Sequence, residues 1–208
     1  MAWHFVPSWT QRIYPNRLWR KENSQDEIYL TFDDGPVPGV TDYVLDILAQ
    51  RGMKATFFMV GDNVRKYPDL AKRVAGEGHT VANHTFNHLN GWRTSNRDYL
   101  ENVEECTKII QDTLQVSPEF FRPPYGLISS FQAKEVSLQM KVTMWDVLSG
   151  DYQKGISPQQ VLEKTKKYSR PGSIVLFHDQ QKTREMLPKV LLNYLDYLHD
   201  NNWKTAAL

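Results

Sequence analysis

A single cysteine in 208 residues removes any internal disulfide as a source of stability. That residue, Cys106, lies in the helical pattern Glu104-Glu105-Cys106-Thr107-Lys108, where acidic neighbours do not lower a thiol pKa, so it reads as a structural thiol. No apolar run approaches the ~18 residues of a membrane span, so no span is expected. The start, Met1-Ala2-Trp3-His4-Phe5-Val6-Pro7, lacks the basic and then apolar layout of an export signal. The default expectation is therefore cytoplasmic, unless a leader has been removed. An excess of one charge sign is missing too, because 25 Lys+Arg face 24 Asp+Glu and leave +1. Such a chain carries no field built to gather nucleic acid or an anionic membrane, and no obligate protein partner is evident.

What is present is apolar and aromatic. Hydrophobic residues make up 40%, with 9 Phe, 6 Trp and 10 Tyr, which excludes a disordered chain. The length fits one domain with a real core. From Asp26 onward, short apolar segments alternate with amphipathic stretches of helical length, the pattern of parallel β/α units. Strands are expected at 28–32, 55–60, 80–83, 120–122, 142–145, 173–177 and, weakly, 203–206. Helices are expected at 41–51, 68–76, 96–114, 132–139, 158–168 and 185–200, with Gly52, Gly76, Gly78 and Pro171-Gly172 as stops. Residues 1–25 differ: Trp3, Trp9, Tyr14 and Trp19 are interleaved with Pro7, Pro15, Arg12, Arg17, Arg20 and Lys21. This segment is expected to be an arm packing its rings on the barrel, with a ligand surface as the alternative. Residues 26–208 then form one α/β domain.

Polar residues able to do chemistry gather at the C-terminal ends of the expected strands, where α/β barrels place their sites. The first strand ends in Thr31-Phe32-Asp33-Asp34-Gly35-Pro36. Adjacent carboxylates after a buried strand fit either a cation site or a pair of turn-forming, helix-capping aspartates. The third strand leads to His84-Thr85-Phe86-Asn87-His88, whose i, i+4 spacing puts two imidazoles on one face of a helical turn, able to ligate one metal or to lie on a plain helix surface. Thr85 follows the first histidine where metalloproteases have Glu, so a base must come from elsewhere. Asp33-Asp34 can supply one carboxylate as ligand and the other as base. His79 and His199 have no such partner and read as structural.

Three more strand ends add to this. Arg122-Pro123-Pro124-Tyr125-Gly126 is a rigid turn that can aim a main-chain N–H at an oxyanion, with Arg122 able to hold a carboxylate. Trp145-Asp146-Val147-Leu148-Ser149-Gly150-Asp151-Tyr152 brings two carboxylates near a glycine turn. Leu176-Phe177-His178-Asp179 brings a histidine that can act as general acid or be a satisfied core residue.

These motifs resemble, in order, the five of the NodB-homology polysaccharide deacetylases, carbohydrate esterase family 4. The similarity covers about Glu27 to the end, through TFDDGP, HTFNH, RPPYG, WDVLSGDY and LFH. The resemblance implies a single-domain α/β fold, a distorted (β/α)7 barrel. It implies a metal-dependent hydrolase that removes N-acetyl groups from N-acetylglucosamine-containing glycans, in peptidoglycan, chitin-like chains or poly-N-acetylglucosamine, with release of acetate. It further implies that Asp34, His84 and His88 hold a divalent metal, Zn or alternatively Co, Mn or Ni. Asp33 is then the base, Arg122 orients it, His178 is the general acid and Asp151 orients His178. The Tyr125 N–H serves the oxyanion, and Leu176 with Trp145 or Tyr152 shapes the acetyl pocket. The fourth motif departs from the family, with Leu148 where Asp is usual and Tyr152 where Trp is usual, which affects the groove lining and sugar specificity. A metal-free branch acting on ureide-type amides is disfavoured by His84 and His88. Two alternatives remain at this stage: deacetylation of a small soluble N-acetyl compound, and a non-catalytic carbohydrate-binding protein on the same fold.

Overall fold

The computed structural model describes residues 4–22 and 24–208. The chain opens with α1 (Ser8–Ile13), β1 (Glu27–Asp33), α2 (Thr41–Gln50), β2 (Thr56–Met59), α3 (Gly61–Lys66), α4 (Pro68–Gly76) and β3 (Thr80–Asn83). It continues through α5 (Asn96–Leu114), β4 (Phe120–Phe121), α6 (Ser130–Val136), β5 (Lys141–Val142) and β6 (Val147–Leu148). Last come α7 (Pro158–Tyr168), β7 (Ile174–His178), α8 (Leu187–Asp200) and β8 (Lys204–Ala206). The strands run in the order β5-β4-β3-β2-β1-β7-β6 with all pairs parallel, and β8 pairs with the start of β1. This is the expected α/β class, a curled, distorted (β/α)7 barrel.

Burial explains the strands. Ile28, Leu30 and Phe32 of β1 are fully buried, as are Ile174, Val175 and Phe177 of β7, because helices cover the outside of a parallel sheet and side chains fill its inside. Each such side chain contributes about 1.5–3 kcal/mol relative to exposure. Helix ends follow local chemistry. The Ser95 side chain accepts from the Asp98 N–H to start α5, whose buried face repeats through Tyr99, Val103, Cys106 and Ile110. Burial pushes the Cys106 thiol up to about 12, in keeping with a structural thiol. Among the described residues no helix is long and apolar enough to cross a membrane.

The fifth expected strand, 142–145, is replaced by two short ones, β5 and β6, which do not pair with each other. The chain leaves the β4 edge, where the Thr143 N–H donates to the Phe121 carbonyl, and crosses to the β7 edge, where the Asp146 N–H donates to the Ile174 carbonyl. Between those edges lies the N-terminal segment. The Val6 N–H donates to Asp146 O at 3.0 Å and Leu148 N–H to His4 O at 3.0 Å, while Leu18 N–H donates to Val142 O and Met144 N–H to Leu18 O. Edge groups that would otherwise be unpaired are thus satisfied. Trp19 is buried beside Phe121, Val142 and Met144, whereas Trp9 and Tyr14 are exposed. Trp3 lies outside the described residues.

Helix α3 has no counterpart among the expected elements, and α6 starts at Ser130 rather than Gln132, because Ser129 and Gln132 form a reciprocal capping box. Helix α8 starts at Leu187 rather than Glu185, following a single 3-10 turn at Gln181–Thr183.

Candidate active site

The expected site residues converge at the C-terminal ends of the strands. Asp33, the last residue of β1, is buried, and so is Arg122 just beyond β4. Arg122 Nη1 donates to Asp33 Oδ1 at 2.6 Å and to Thr31 Oγ1 at 2.8 Å, and Nη2 donates to Met144 O at 2.8 Å. The guanidinium also lies 3.9 Å from the Phe58 ring centroid. A fully buried charge is tolerable only with such partners.

Asp34, His84 and His88 each turn one ligand atom toward a common point, with all three atoms within 4.8 Å of one another. His84 Nδ1 lies 2.7 Å from the Arg122 carbonyl. It therefore carries the proton and leaves Nε2 as a bare lone pair. Asp34 Oδ1 lies 3.4 Å from His84 Nε2 and 3.0 Å from His88 Nε2, yet it is buried without a hydrogen-bond partner. Lone pairs aimed at one point, with an orphaned carboxylate oxygen among them, fit a divalent cation.

The histidines do not occupy a helical turn, contrary to the expectation from their spacing. Residues 84–90 are irregular, with Thr85 at φ 64° and His88 at φ 57°. Side-chain amides supply the acceptors a helix would have provided. Asn83 Oδ1 takes the Thr85 N–H at 2.8 Å, and Asn102 Oδ1 takes those of Phe86 and Asn87 at 2.9 Å. Asp34 and Tyr125 also have positive φ, at 81° and 60°. Left-handed non-glycine residues cost on the order of 1–3 kcal/mol each, and here four of them are held around one cluster.

On the other side stands His178, at the end of β7. Asp151 Oδ1 lies 2.8 Å from its Nδ1, and Oδ2 accepts its backbone N–H at 2.8 Å. Burial favours the neutral ring, but the charge and hydrogen bond of Asp151, with Asp34 and Asp33 beyond, push His178 up to about 9. The Tyr152 ring sits edge-on to His178 at 4.9 Å, and Tyr125 meets His88 likewise at 4.7 Å. The Tyr125 N–H finds no acceptor among the described residues. Asp33, Asp34, His84, His88, Tyr125, Trp145, Leu148, Tyr152, Leu176 and His178 line one groove of about 740 Å³, together with Lys154 and Lys182. Asp146, the other carboxylate of the fourth motif, stays outside it, accepting from Ser173 Oγ and the Ile174 N–H.

Asp179 had no role in the sequence reading. It is fully buried, its Oδ2 accepts from Thr41 Oγ1 at 2.6 Å and its Oδ1 accepts the Gly35 N–H at 3.0 Å, so it ties the end of β7 to the turn carrying Asp34. Burial pushes its carboxyl up to about 8. The one signal for it is position, directly after His178. His79 is buried, accepts the Ala55 N–H on Nδ1 and is pushed down to about 4 by burial, while His199 is exposed at the end of α8. A second groove of about 730 Å³, between residues 13–17 and 130–141, holds no comparable set of ligand or acid–base groups.

Three atoms able to ligate one metal ion lie together, and beside them stand a separate buried carboxylate and an imidazole held by a carboxylate. Such a layout is compatible with metal-assisted hydrolysis. The chain belongs to the polysaccharide deacetylase family, whose model matches residues 20–145. Among curated relatives it is 38% identical over 153 residues to a peptidoglycan-N-acetylglucosamine deacetylase of Bacillus cereus, covering 73% of this chain and 55% of the relative. The chain thus spans about half the length of that relative. A second Bacillus cereus protein of the same description is 33% identical over 194 residues, covering 91% of this chain and 90% of the relative. A crystal structure of a peptidoglycan N-acetylglucosamine deacetylase with 4-naphthalen-1-yl-N-oxidanyl-benzamide superposes with TM-score 0.86 at 29% identity, covering 98% and 95% of the two chains.

Proposed function

We propose that this protein is a metal-dependent N-deacetylase acting on N-acetylglucosamine residues of a glycan, with peptidoglycan the leading substrate because the relatives described above carry that activity in their names. The observation that carries the reading is the juxtaposition of the Asp34/His84/His88 cluster with Asp33 on one side and His178 on the other. When bound, a divalent cation, Zn in this reading, supplies charge that polarises a carbonyl and acidifies a water. Asp33, held by Arg122, accepts the proton of the attacking water. The free Tyr125 N–H donates to the oxygen of the acetamide carbonyl as negative charge builds on it. His178, kept protonated by Asp151, delivers a proton to the sugar nitrogen as the C–N bond breaks, so the products are acetate and a free amine. Leu176 and Trp145, with Tyr152 at the mouth, form the wall that receives the acetyl methyl.

The test is acetate release by chelator-treated protein from peptidoglycan, N-acetylglucosamine oligomers and a panel of small N-acetyl compounds, before and after adding Zn, Co, Mn or Ni singly. The expected result is no release without metal and restoration on the glycans. The Asp33→Asn variant should bind metal and lose turnover by about 10²–10⁴-fold. Release from small compounds alone would transfer the activity to a soluble substrate. No release with any metal would leave a carbohydrate-binding role.

A further inference from the structure

Trp92 is 68% exposed, yet it is not loose. Its indole Nε1 donates to the Ile128 carbonyl at 3.2 Å and its backbone N–H to Asn90 Oδ1 at 3.0 Å. Beside it the Gly91 N–H donates to Leu127 O at 3.2 Å, and Gln132 Nε2 donates to Gly91 O at 3.0 Å. A Cβ at Gly91 would meet Gln132 Oε1 at 2.6 Å and Leu127 O at 2.7 Å, so two loops are pressed together there. An indole tied by its polar edge with its face in water is a built surface; burial would be the ordinary fate of so large an apolar ring.

Its location gives that surface a use. The Trp92 loop follows β3 and the Ile128 loop follows β4, so both leave the barrel end that carries the site. The two loops are zipped along their length. At the inner end His88 meets Tyr125 ring to ring, and at the outer end Trp92 meets Ile128. Tyr125 and Ile128 are three residues apart, so the outer contact lies at most about 11 Å along the chain from the groove edge, the length of a short run of pyranose rings. Trp92 is absent from the groove lining and so cannot serve the reacting sugar itself.

We infer that Trp92 is a stacking platform for a neighbouring sugar of the same glycan, a binding subsite outside the acetyl pocket that sets preference for longer chains. The inference rests on the glycan reading given above. The apolar face of a pyranose covering the indole removes both surfaces from water, and the Ile128 hydrogen bond holds the ring ready, so little ordering entropy is lost on binding.

The experiment compares wild type, Trp92→Ala and Trp92→Phe on N-acetylglucosamine oligomers of two to six residues, by kcat/KM and, separately, by calorimetric binding of the hexamer to metal-loaded protein. In Trp92→Ala the ratio of hexamer to dimer kcat/KM should fall on the order of tenfold, chiefly through KM, and hexamer binding should weaken by a similar factor. Trp92→Phe, which keeps a ring, should retain most of the ratio. A ratio equal to wild type in Trp92→Ala, or hexamer binding of native strength, overturns the platform. If wild type deacetylates neither the oligomers nor peptidoglycan, the functional reading fails on its own, and hexamer binding by wild type against Trp92→Ala still decides the platform.

Discussion

Asp151 holds His178 twice, one carboxylate oxygen 2.8 Å from the ring Nδ1 and the other 2.8 Å from the backbone nitrogen. The double contact fixes the ring's position as well as its charge. Because His178 titrates from a raised value of about 9 rather than 6.5, the protonated acid persists through neutral pH and is lost as pH rises through the folded value. Replacing Asp151 with Asn removes the largest raising influence. The alkaline limb of the kcat profile should move to lower pH, and kcat at pH 8 should fall about 10²-fold with little change in KM. A limb that stays in place, or a loss confined to KM, would move Asp151 to substrate binding.

Arg122→Met should be among the most damaging substitutions in the chain. It leaves Asp33 buried without its cation, takes the Arg122 donor from Met144 O, and leaves Thr31 Oγ1 only its bond to the Val175 carbonyl. The expected loss is about 3–5 kcal/mol in urea unfolding. Arg122→Lys should recover only part of it, since an ammonium cannot serve three acceptors in a planar fork. Full recovery by Lys would show that charge alone matters.

Gly35→Ala tests the Asp179 brace. A Cβ at this position would overlap the Asp179 carboxylate, so the turn bearing Asp34 must shift. Stability should drop by about 1–3 kcal/mol, and metal affinity, read by competition with a chromophoric chelator, should drop with it. Native affinity in Gly35→Ala would mean that Asp34 does not depend on the brace.

His79 gives a pH signature away from the site. Its folded value of about 4 lies below the ordinary 6.5, so between these values the unfolded chain binds more protons and stability falls as pH falls; above 6.5 the effect vanishes. His79→Asn, whose amide oxygen can take the Ala55 N–H, should cost about 1 kcal/mol at pH 7 and should lose less stability than wild type between pH 7 and pH 5. Equal losses in the two proteins would remove His79 as the source.

Much of the site was legible because its residues sit at the ends of short apolar strands, and alternation of strand and helix marks those ends. Asp33, Asp34, His84, His88, Arg122 and His178 all follow that rule. The local backbone was not legible. The i, i+4 spacing of His84 and His88 matches a helix, but Asn83 and Asn102 capture the intervening N–H groups, and Asn102 reaches them from α5. The split of the fifth strand was hidden likewise, since it depends on residues 4–18 lying between β5 and β6.

The sequence by itself determined which chemical groups the protein has and their order along strand ends, because apolar burial and turn chemistry act over a few residues. Only the tertiary structure decided that Arg122 meets Asp33, 89 positions away, that Asp179 braces Gly35, 144 positions away, and that an exposed Trp92 is tied to the Ile128 carbonyl. Those contacts depend on parallel register and loop closure across the barrel, and local propensity carries no information about either.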